Sequence, residues 1–93
     1  MIEREGDIER RLREYVRKRK GICLKMNPAE AIGIPDRLVI LPGGKIHFIE
    51  LKRRGQKPRK IQLWWLKKIS ALGVSAFWAD NYDEIIRKIG TDT

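Results

Sequence analysis

The sequence has only one cysteine and one histidine, Cys23 and His47, in 93 residues. A single cysteine cannot form an internal disulfide, and one cysteine with one histidine cannot supply the ligands of a structural zinc site. No apolar run approaches the roughly 18 residues of a membrane span, and the N-terminus is charged where a signal peptide would be apolar. We therefore expect an intracellular, cytoplasmic protein that has no membrane partner.

Acidic residues are also outnumbered by basic ones: the sequence has 12 Asp and Glu and 21 Lys and Arg, and its formal net charge is +9. Such a surplus favours an anionic partner, and nucleic acid is the usual one for a small basic protein. A chain of this length fits one small domain with a modest core. We predict a single domain over residues 1–93, whose core is either compact or completed by a partner chain.

Hydrophobic periodicity predicts seven elements in the order helix, strand, strand, strand, helix, strand, helix. The first helix, from Asp7 to Lys20, places its apolar side chains on one stripe, and Gly21 is positioned to end it in a left-handed conformation. A strand, a helix and a strand follow one another over residues 45–79, which favours parallel pairing of the two strands. The pattern predicts an α/β fold with a central mixed sheet flanked by helices.

Residues 33–52, GIPDRLVILPGGKIHFIELK, predict a β-hairpin with one acid at its entrance and another near its exit. A two-residue turn would direct Asp36 to the opposite face of the sheet from Glu50. A three-residue loop over 42–44 pairs Asp36 with Glu50, and we favour it because glycine readily adopts the left-handed conformation that ends such loops. Adjacent carboxylates repel each other, so this register indicates a cation between them.

Oxygen ligands without nitrogen or sulfur are typical of a hard divalent ion, here Mg²⁺ or Mn²⁺. The candidate ligands are Asp36, Glu50 and the backbone carbonyl of Leu51, and such an ion would activate water for attack on a phosphate. Lys52 shares a face with Glu50 because side chains alternate along a strand. Lys52 could orient the water, neutralise the transition state or accept a proton, and the sequence leaves these roles open.

The spacing by itself does not assign this site, because an Asp after a proline and a Glu-x-Lys at a strand end are usually solvated. The PD pair at 35–36, the hairpin, the ELK triplet at 50–52 and the basic KPRKIQ segment before a helix together resemble a known family. They are similar to the PD-(D/E)xK nuclease superfamily with its restriction-endonuclease-like fold, and more narrowly to its VRR-NUC (virus-type replication-repair nuclease) family. The resemblance covers nearly the whole chain.

This resemblance implies metal-dependent cleavage of branched or flapped DNA. It makes Asp36 and Glu50 the metal-binding carboxylates and Lys52 the catalytic lysine. It also implies that Gln62 points toward the site, and that an acid of the first helix holds a metal-bound water. Two residues, Glu5 and Glu9, are candidates for that acid, and the sequence does not choose between them.

A basic run begins where the second hairpin strand ends, so its charges would flank the scissile phosphate. If several of these residues neutralise phosphates, DNA affinity will fall steeply with salt. Such contacts position a duplex without reading its bases, which favours recognition of DNA shape. The candidate DNA-binding residues are Arg53, Arg54, Lys57, Arg59 and Lys60.

The helix that follows predicts an inward stripe of Ile61, Trp65, Ile69 and Leu72, with Trp64 outside it. An exposed tryptophan suggests a partner surface. Stand-alone members of the family resemble Holliday-junction resolvases, and a symmetric dimer would present two active sites to a four-way junction. We therefore expect a homodimeric resolvase from a phage or bacterial host, with Trp64 as a candidate contact. The alternatives are a monomeric flap or fork nuclease and a non-catalytic basic DNA-binding module.

Overall fold

The computed structural model describes residues 3–90, and the ends of the predicted domain, residues 1–2 and 91–93, lie outside them. The described part contains a four-stranded mixed sheet and three helices, and the predicted α/β fold and element order are confirmed. Within these residues no helix is both long and apolar enough to cross a membrane. The elements are α1 (Glu5–Lys18), β1 (Ile22–Lys25), β2 (Arg37–Leu41), β3 (Lys45–Leu51), α2 (Lys60–Ala71), β4 (Ser75–Ala79) and α3 (Tyr82–Ile89).

The strands lie in the order β1-β2-β3-β4, with antiparallel pairing among the first three and parallel pairing of β3 with β4. Helices α1 and α3 cover one face of the sheet, and α2 packs on the other against β4. Because side chains alternate along a strand, every second residue of β2 and β3 enters the core under α1. The core consists of Ile8, Leu12, Val16, Val39, Leu41, Ile49, Leu51, Phe77, Ala79, Ile85 and Ile89.

The hairpin has the register that we favoured, with Leu41 opposite Lys45 and Arg37 opposite Ile49. Three residues, 42–44, connect the strands, and both glycines of this loop have positive φ. One further step of the same register sets Asp36 against Glu50. The pairing of β1 with β2 also continues past the strand end, since the Met26 amide donates to the Asp36 carbonyl at 2.7 Å.

The end of α1 differs from the prediction in which residue is left-handed. Lys20 has a φ of 62°, whereas Gly21 does not have positive φ. The Lys20 amide donates to the Arg17 carbonyl and the Gly21 amide to the Val16 carbonyl, both at 2.9 Å, which is the hydrogen-bond pattern of a Schellman motif. Gly21 is needed for space instead, because a Cβ there would lie 2.5 Å from the carbonyl oxygen of Ile40.

The predicted inward stripe of α2 was wrong in part, because only two of its four residues, Trp65 and Ile69, are half-buried. Gln62 and Leu66 are the buried residues of this helix, whereas Ile61 and Leu72 are exposed. The helix carries apolar side chains on several of its own sides, so hydrophobic periodicity could not determine which side packs on the sheet. Trp64 does lie outside the packed side, with 52% of its surface exposed, and the Lys68 ammonium lies 6.0 Å from its ring centroid.

Candidate active site

Asp36 and Glu50 meet at the end of the sheet where β2 begins and β3 ends. The Leu51 amide donates to Asp36 Oδ1 at 3.1 Å, which ties the first acid to the residue beside the second. The Glu50 side chain alternates with the core residues Ile49 and Leu51, so it points toward the α2 side of the sheet. The structure therefore brings together the two carboxylates that the sequence predicted to be adjacent.

The surroundings of both carboxyl groups disfavour their charged forms. Burial is the main factor that raises the pKa of Asp36, and the charge of Glu5 raises it further, while the Leu51 amide and the Arg37 guanidinium lower it. Burial likewise raises the pKa of Glu50 most, followed by the charge of Asp36, and Lys52 opposes both. Two partly desolvated acids, one of which raises the pKa of the other, form a site that a cation would stabilise.

Lys52 and Gln62 both contact the same oxygen of Glu50. The Lys52 ammonium lies 3.3 Å from Glu50 Oε2, and the Gln62 side-chain amide donates to that oxygen at 3.0 Å. Gln62 is itself held in place, since its carbonyl oxygen accepts from the Arg59 amide at 2.8 Å at the start of α2. The Glu50 carboxylate thus connects β3 with the start of α2.

The two acids of α1 occupy different surroundings. Glu5 is exposed at the start of the helix, and it is the α1 acid whose charge raises the pKa of Asp36. Glu9 is engaged elsewhere, with Oε2 lying 3.2 Å from the Arg37 guanidinium and Oε1 accepting from Arg13 at 3.0 Å. Both oxygens of Glu9 are engaged by arginines, whereas the charge of Glu5 acts on Asp36, so Glu5 is the stronger candidate.

Every predicted DNA-binding side chain is exposed, four of them on the basic loop between β3 and α2 and one at the start of α2. The conformation of this loop is fixed at Gly55, which has positive φ and whose amide donates to Asp80 Oδ2 at 3.0 Å. This hydrogen bond is the main reason that the pKa of Asp80 is lowered. Asp80 follows β4, so the loop is attached to the strand that lies parallel to β3. The exposed basic residues are Arg53, Arg54, Lys57, Arg59 and Lys60.

The donor set fits a hard divalent cation that keeps most of its water ligands. Over residues 3–90 there is no group of three or more His, Cys, Asp or Glu side chains arranged to hold a metal. Magnesium needs only one or two protein carboxylates, because it dehydrates reluctantly and fills its other positions with water or phosphate oxygens. Asp36 and Glu50 meet that requirement, and Leu51 is next to Glu50 in the chain and donates its amide to Asp36.

Two residues with structural roles at the site were missed by the sequence reasoning. Arg37 is buried on the core-facing side of β2, and Asp80 holds the basic loop. The signal for Arg37 was its place in an alternating strand, because a charge at an inward position must find a partner. No local pattern indicates Asp80, since its partner Gly55 is distant in sequence.

Comparisons with known proteins identify one similar protein and one similar solved structure. No model of a known protein family matches the sequence. The chain is 44% identical over 80 residues to a protein of Acyrthosiphon pisum secondary endosymbiont phage 1 named "Putative nuclease p44", and the match covers 86% of each chain. It is also similar to a solved structure named "VRR_NUC domain", with a TM-score of 0.86 and 28% sequence identity, covering 96% of this chain and 97% of that one.

Proposed function

Because the chain belongs to the VRR-NUC family, we propose that it is a structure-selective DNA endonuclease that hydrolyses phosphodiester bonds with Mg²⁺ or Mn²⁺. The observation that carries this proposal is the cluster at the end of the sheet. Asp36 accepts from the Leu51 amide beside Glu50, and the Lys52 ammonium lies 3.3 Å from Glu50 Oε2. Two carboxylates beside an ammonium group are the components that metal-assisted phosphodiester hydrolysis requires.

Asp36, Glu50 and the Leu51 carbonyl would hold the cation, and Glu5 is the α1 acid with which a metal-bound water would hydrogen-bond. The bound cation supplies Lewis-acid stabilisation of charge on the scissile phosphate. Lys52 would orient the attacking water or offset charge at the phosphate, since its ammonium group already lies in the cluster. Gln62 keeps Glu50 oriented through the hydrogen bond that it donates to Oε2.

The basic loop supports DNA as the substrate. It leaves β3 directly after Lys52, exposes its basic side chains and enters α2 just before Gln62. A phosphodiester backbone in this position would pass from the arginines of the loop to the carboxylate cluster. Contacts of this kind bind phosphates without reading bases, which supports selection by DNA shape.

A homodimer that resolves Holliday junctions is the form of this function that we propose. A twofold dimer would place two equivalent sites on a four-way junction, which must be cut in two strands. The exposed Trp64 is one candidate contact. We propose that the enzyme acts in the cytoplasm of a bacterial cell, either a phage host or the bacterium that encodes it, in line with the phage origin of its relative. The alternatives are a monomeric flap or fork nuclease and a basic module that binds DNA without cutting it.

The experiment that tests the function incubates the protein with labelled four-way junction, flap and linear duplex DNA in Mg²⁺, Mn²⁺ or EDTA. Junction cutting that needs a divalent cation supports the proposal, and cutting of flaps alone favours the monomeric nuclease. Binding without cutting in either metal would leave the non-catalytic module.

Lys52→Ala is the decisive variant in that assay. We expect its cutting rate to fall by at least about a hundredfold, the scale of a lost general catalyst, with junction binding largely unchanged. Lys18→Ala is the matched control, because Lys18 is exposed in the last turn of α1, outside the cluster. Equal cutting by the two variants would remove Lys52 from the mechanism.

A further inference from the structure

Arg37 makes three contacts that connect α1 to the candidate metal site. Its side chain is only 7% exposed, on the core-facing side of β2. One guanidinium nitrogen, Nη2, lies 3.2 Å from Glu9 Oε2 on α1. The other, Nη1, donates to the backbone carbonyl of Asp36 at 3.0 Å and lies 3.4 Å from Asp36 Oδ2.

These contacts leave the Asp36 carboxylate held at both oxygens. Oδ1 accepts from the Leu51 amide at 3.1 Å, and Oδ2 faces the Arg37 guanidinium. The planar guanidinium contacts the main chain and the side chain of the same residue, so rotation of the Asp36 side chain would break one contact with each oxygen. The side chain is therefore preorganised before any ligand arrives.

Stability alone does not account for a buried arginine at this position. The other inward residues of β2, Val39 and Leu41, are aliphatic, and β2 is well packed against the core. Taking a charge out of water is costly, and the Arg37 side chain is 7% exposed while its partner Glu9 is 26% exposed, so an aliphatic residue at position 37 would avoid that cost. The burial of Arg37 is therefore best explained by its contacts with the Asp36 carboxylate and backbone.

We propose that Arg37, anchored by Glu9, is a positioning residue that fixes the Asp36 carboxylate in the orientation that binds the divalent cation. This inference rests on the proposed function, because it needs a cation at Asp36. It gives Glu9 a role distinct from that of Glu5, since Glu9 acts on the site only through Arg37.

The sign of the effect on metal affinity separates positioning from simple electrostatics. A guanidinium close to a metal ligand repels a cation, so on charge alone its removal would tighten metal binding. Loss of positioning has the opposite effect, and removing a partner that orients a metal ligand typically weakens metal binding by about 10-fold to 100-fold. We therefore expect Arg37→Gln to bind Mn²⁺ about 10-fold to 100-fold more weakly.

The test is isothermal titration calorimetry of the full chain with Mn²⁺, after thermal unfolding in EDTA has shown that each variant is folded. Arg37→Gln is compared with Glu9→Gln, which keeps the arginine but removes its anchor and should show a smaller loss of affinity. Arg13→Gln is the matched control, because Arg13 contacts Glu9 at 3.0 Å and its side chain is 65% exposed. It removes a positive charge nearby, and its Mn²⁺ affinity should stay within about twofold of the wild type, as expected for a screened surface charge.

Unchanged or tighter Mn²⁺ binding by Arg37→Gln would overturn the positioning role while leaving the proposed function intact. If Arg37→Gln does not fold, Glu9→Gln decides, and an affinity equal to that of Arg13→Gln would overturn the role. A wild-type protein that binds no Mn²⁺ would overturn the metal-dependent function itself, and this role with it.

Discussion

At the scale of single residues, the candidate cluster holds two acids whose charged forms are disfavoured and that a divalent cation would stabilise. Glu50 is buried and Asp36 half-buried, and each has its pKa raised mainly by burial. Lys52 and Gln62 partly stabilise the charged form of Glu50, because both contact its Oε2. The metal-free protein therefore carries unfavourable electrostatics that ligand binding would relieve.

This balance predicts a large stabilisation by metal that depends on Asp36. At a concentration a hundred times its dissociation constant, Mn²⁺ should raise the free energy of unfolding by about 2.7 kcal/mol. In a domain of this size that corresponds to an increase in Tm of about 10–20 °C. Asp36→Asn should lose most of the increase, because the amide carries no charge for the cation. Differential scanning calorimetry with Mn²⁺ and with EDTA measures both values.

Asp83→Asn is the control for that measurement, since Asp83 is an exposed acid in the first turn of α3. It should keep the full metal-dependent increase in Tm. An Asp36→Asn variant that keeps the increase as well would show that the cation binds elsewhere.

The position of Asp36 opposite Glu50 could be predicted from the sequence, whereas the pairing of Arg37 with Glu9 could not. The first depends on the register of a hairpin, and the loop glycines limit that register to a small number of choices. The second joins a helix to a strand through space, and no local spacing determines which arginine a given glutamate will meet. For the same reason the sequence left Glu5 and Glu9 as equal candidates.

At the scale of elements, Gly21, in the turn between α1 and β1, lies in close contact with β2. A Cβ on Gly21 would approach the Ile40 carbonyl oxygen to 2.5 Å and the Leu41 side chain to 2.9 Å. Gly21→Ala should therefore destabilise the protein by about 1–3 kcal/mol, the range for overpacking in a rigid site. Urea denaturation with a fixed m-value measures this loss.

Gly6→Ala is the matched control for that substitution. A Cβ at Gly6 would have no neighbour within 4 Å, and the residue lies in the first turn of α1. Alanine is the better helix former, so this variant should be neutral or more stable by up to about 1 kcal/mol. A Gly21→Ala variant as stable as Gly6→Ala would contradict the close approach.

The hydrogen bond between Gly55 and Asp80 predicts a pH response in the basic loop. The Gly55 amide lowers the pKa of Asp80, so the interaction stabilises the folded loop above the unfolded value of about 3.9 and is lost as pH falls through the lower folded pKa. In an NMR titration the Gly55 amide shift should follow Asp80, with a midpoint below about 3.9. Asp80→Asn should abolish the change.

The Gly73 amide provides an internal reference in that titration, because it donates to the Ser70 backbone carbonyl and not to an acid. Its shift should stay constant over the same pH range. If the Gly55 midpoint lies at or above the ordinary aspartate value, the hydrogen bond does not hold the loop in solution.

The elements themselves were largely predictable, and the errors have physical causes. The hairpin register followed from glycine chemistry, and the parallel pairing of β3 with β4 followed from the intervening helix. The orientation of α2 did not follow, because this helix is apolar on several sides and covers only part of the sheet. Its buried residues are Gln62 and Leu66, and Gln62 meets Glu50, a group on another element.

At the scale of the whole molecule, the uneven cover of the sheet leaves an apolar surface on the α2 side. Ile22 pairs across β1 and β2 with Ile40, which pairs in turn with Ile46, and Leu24 begins the neighbouring row. Ile22 is 54%, Leu24 46% and Ile46 41% exposed. We call these three residues the open sheet surface. Contiguous apolar patches of this kind usually mark an interface.

For the proposed homodimer, the charge distribution favours the open sheet surface over Trp64 as the interface. Each copy carries a net charge of +9, so two copies repel wherever their basic surfaces meet. Lys67 and Lys68 lie beside Trp64 and would face their own equivalents across a twofold axis there. The open sheet surface is uncharged, which makes it a better candidate than Trp64 for the centre of a dimer interface.

Sedimentation velocity at micromolar concentration tests this assignment. The wild type should sediment as a dimer, and Ile22→Thr combined with Ile46→Thr should shift it toward monomer, because threonine keeps the β-branched shape while weakening apolar burial. Trp64→Gln should dissociate the dimer less than the double variant does. A stronger effect of Trp64→Gln would move the interface to α2, and a monomeric wild type would remove the homodimer, leaving the flap or fork nuclease as the form that fits the site.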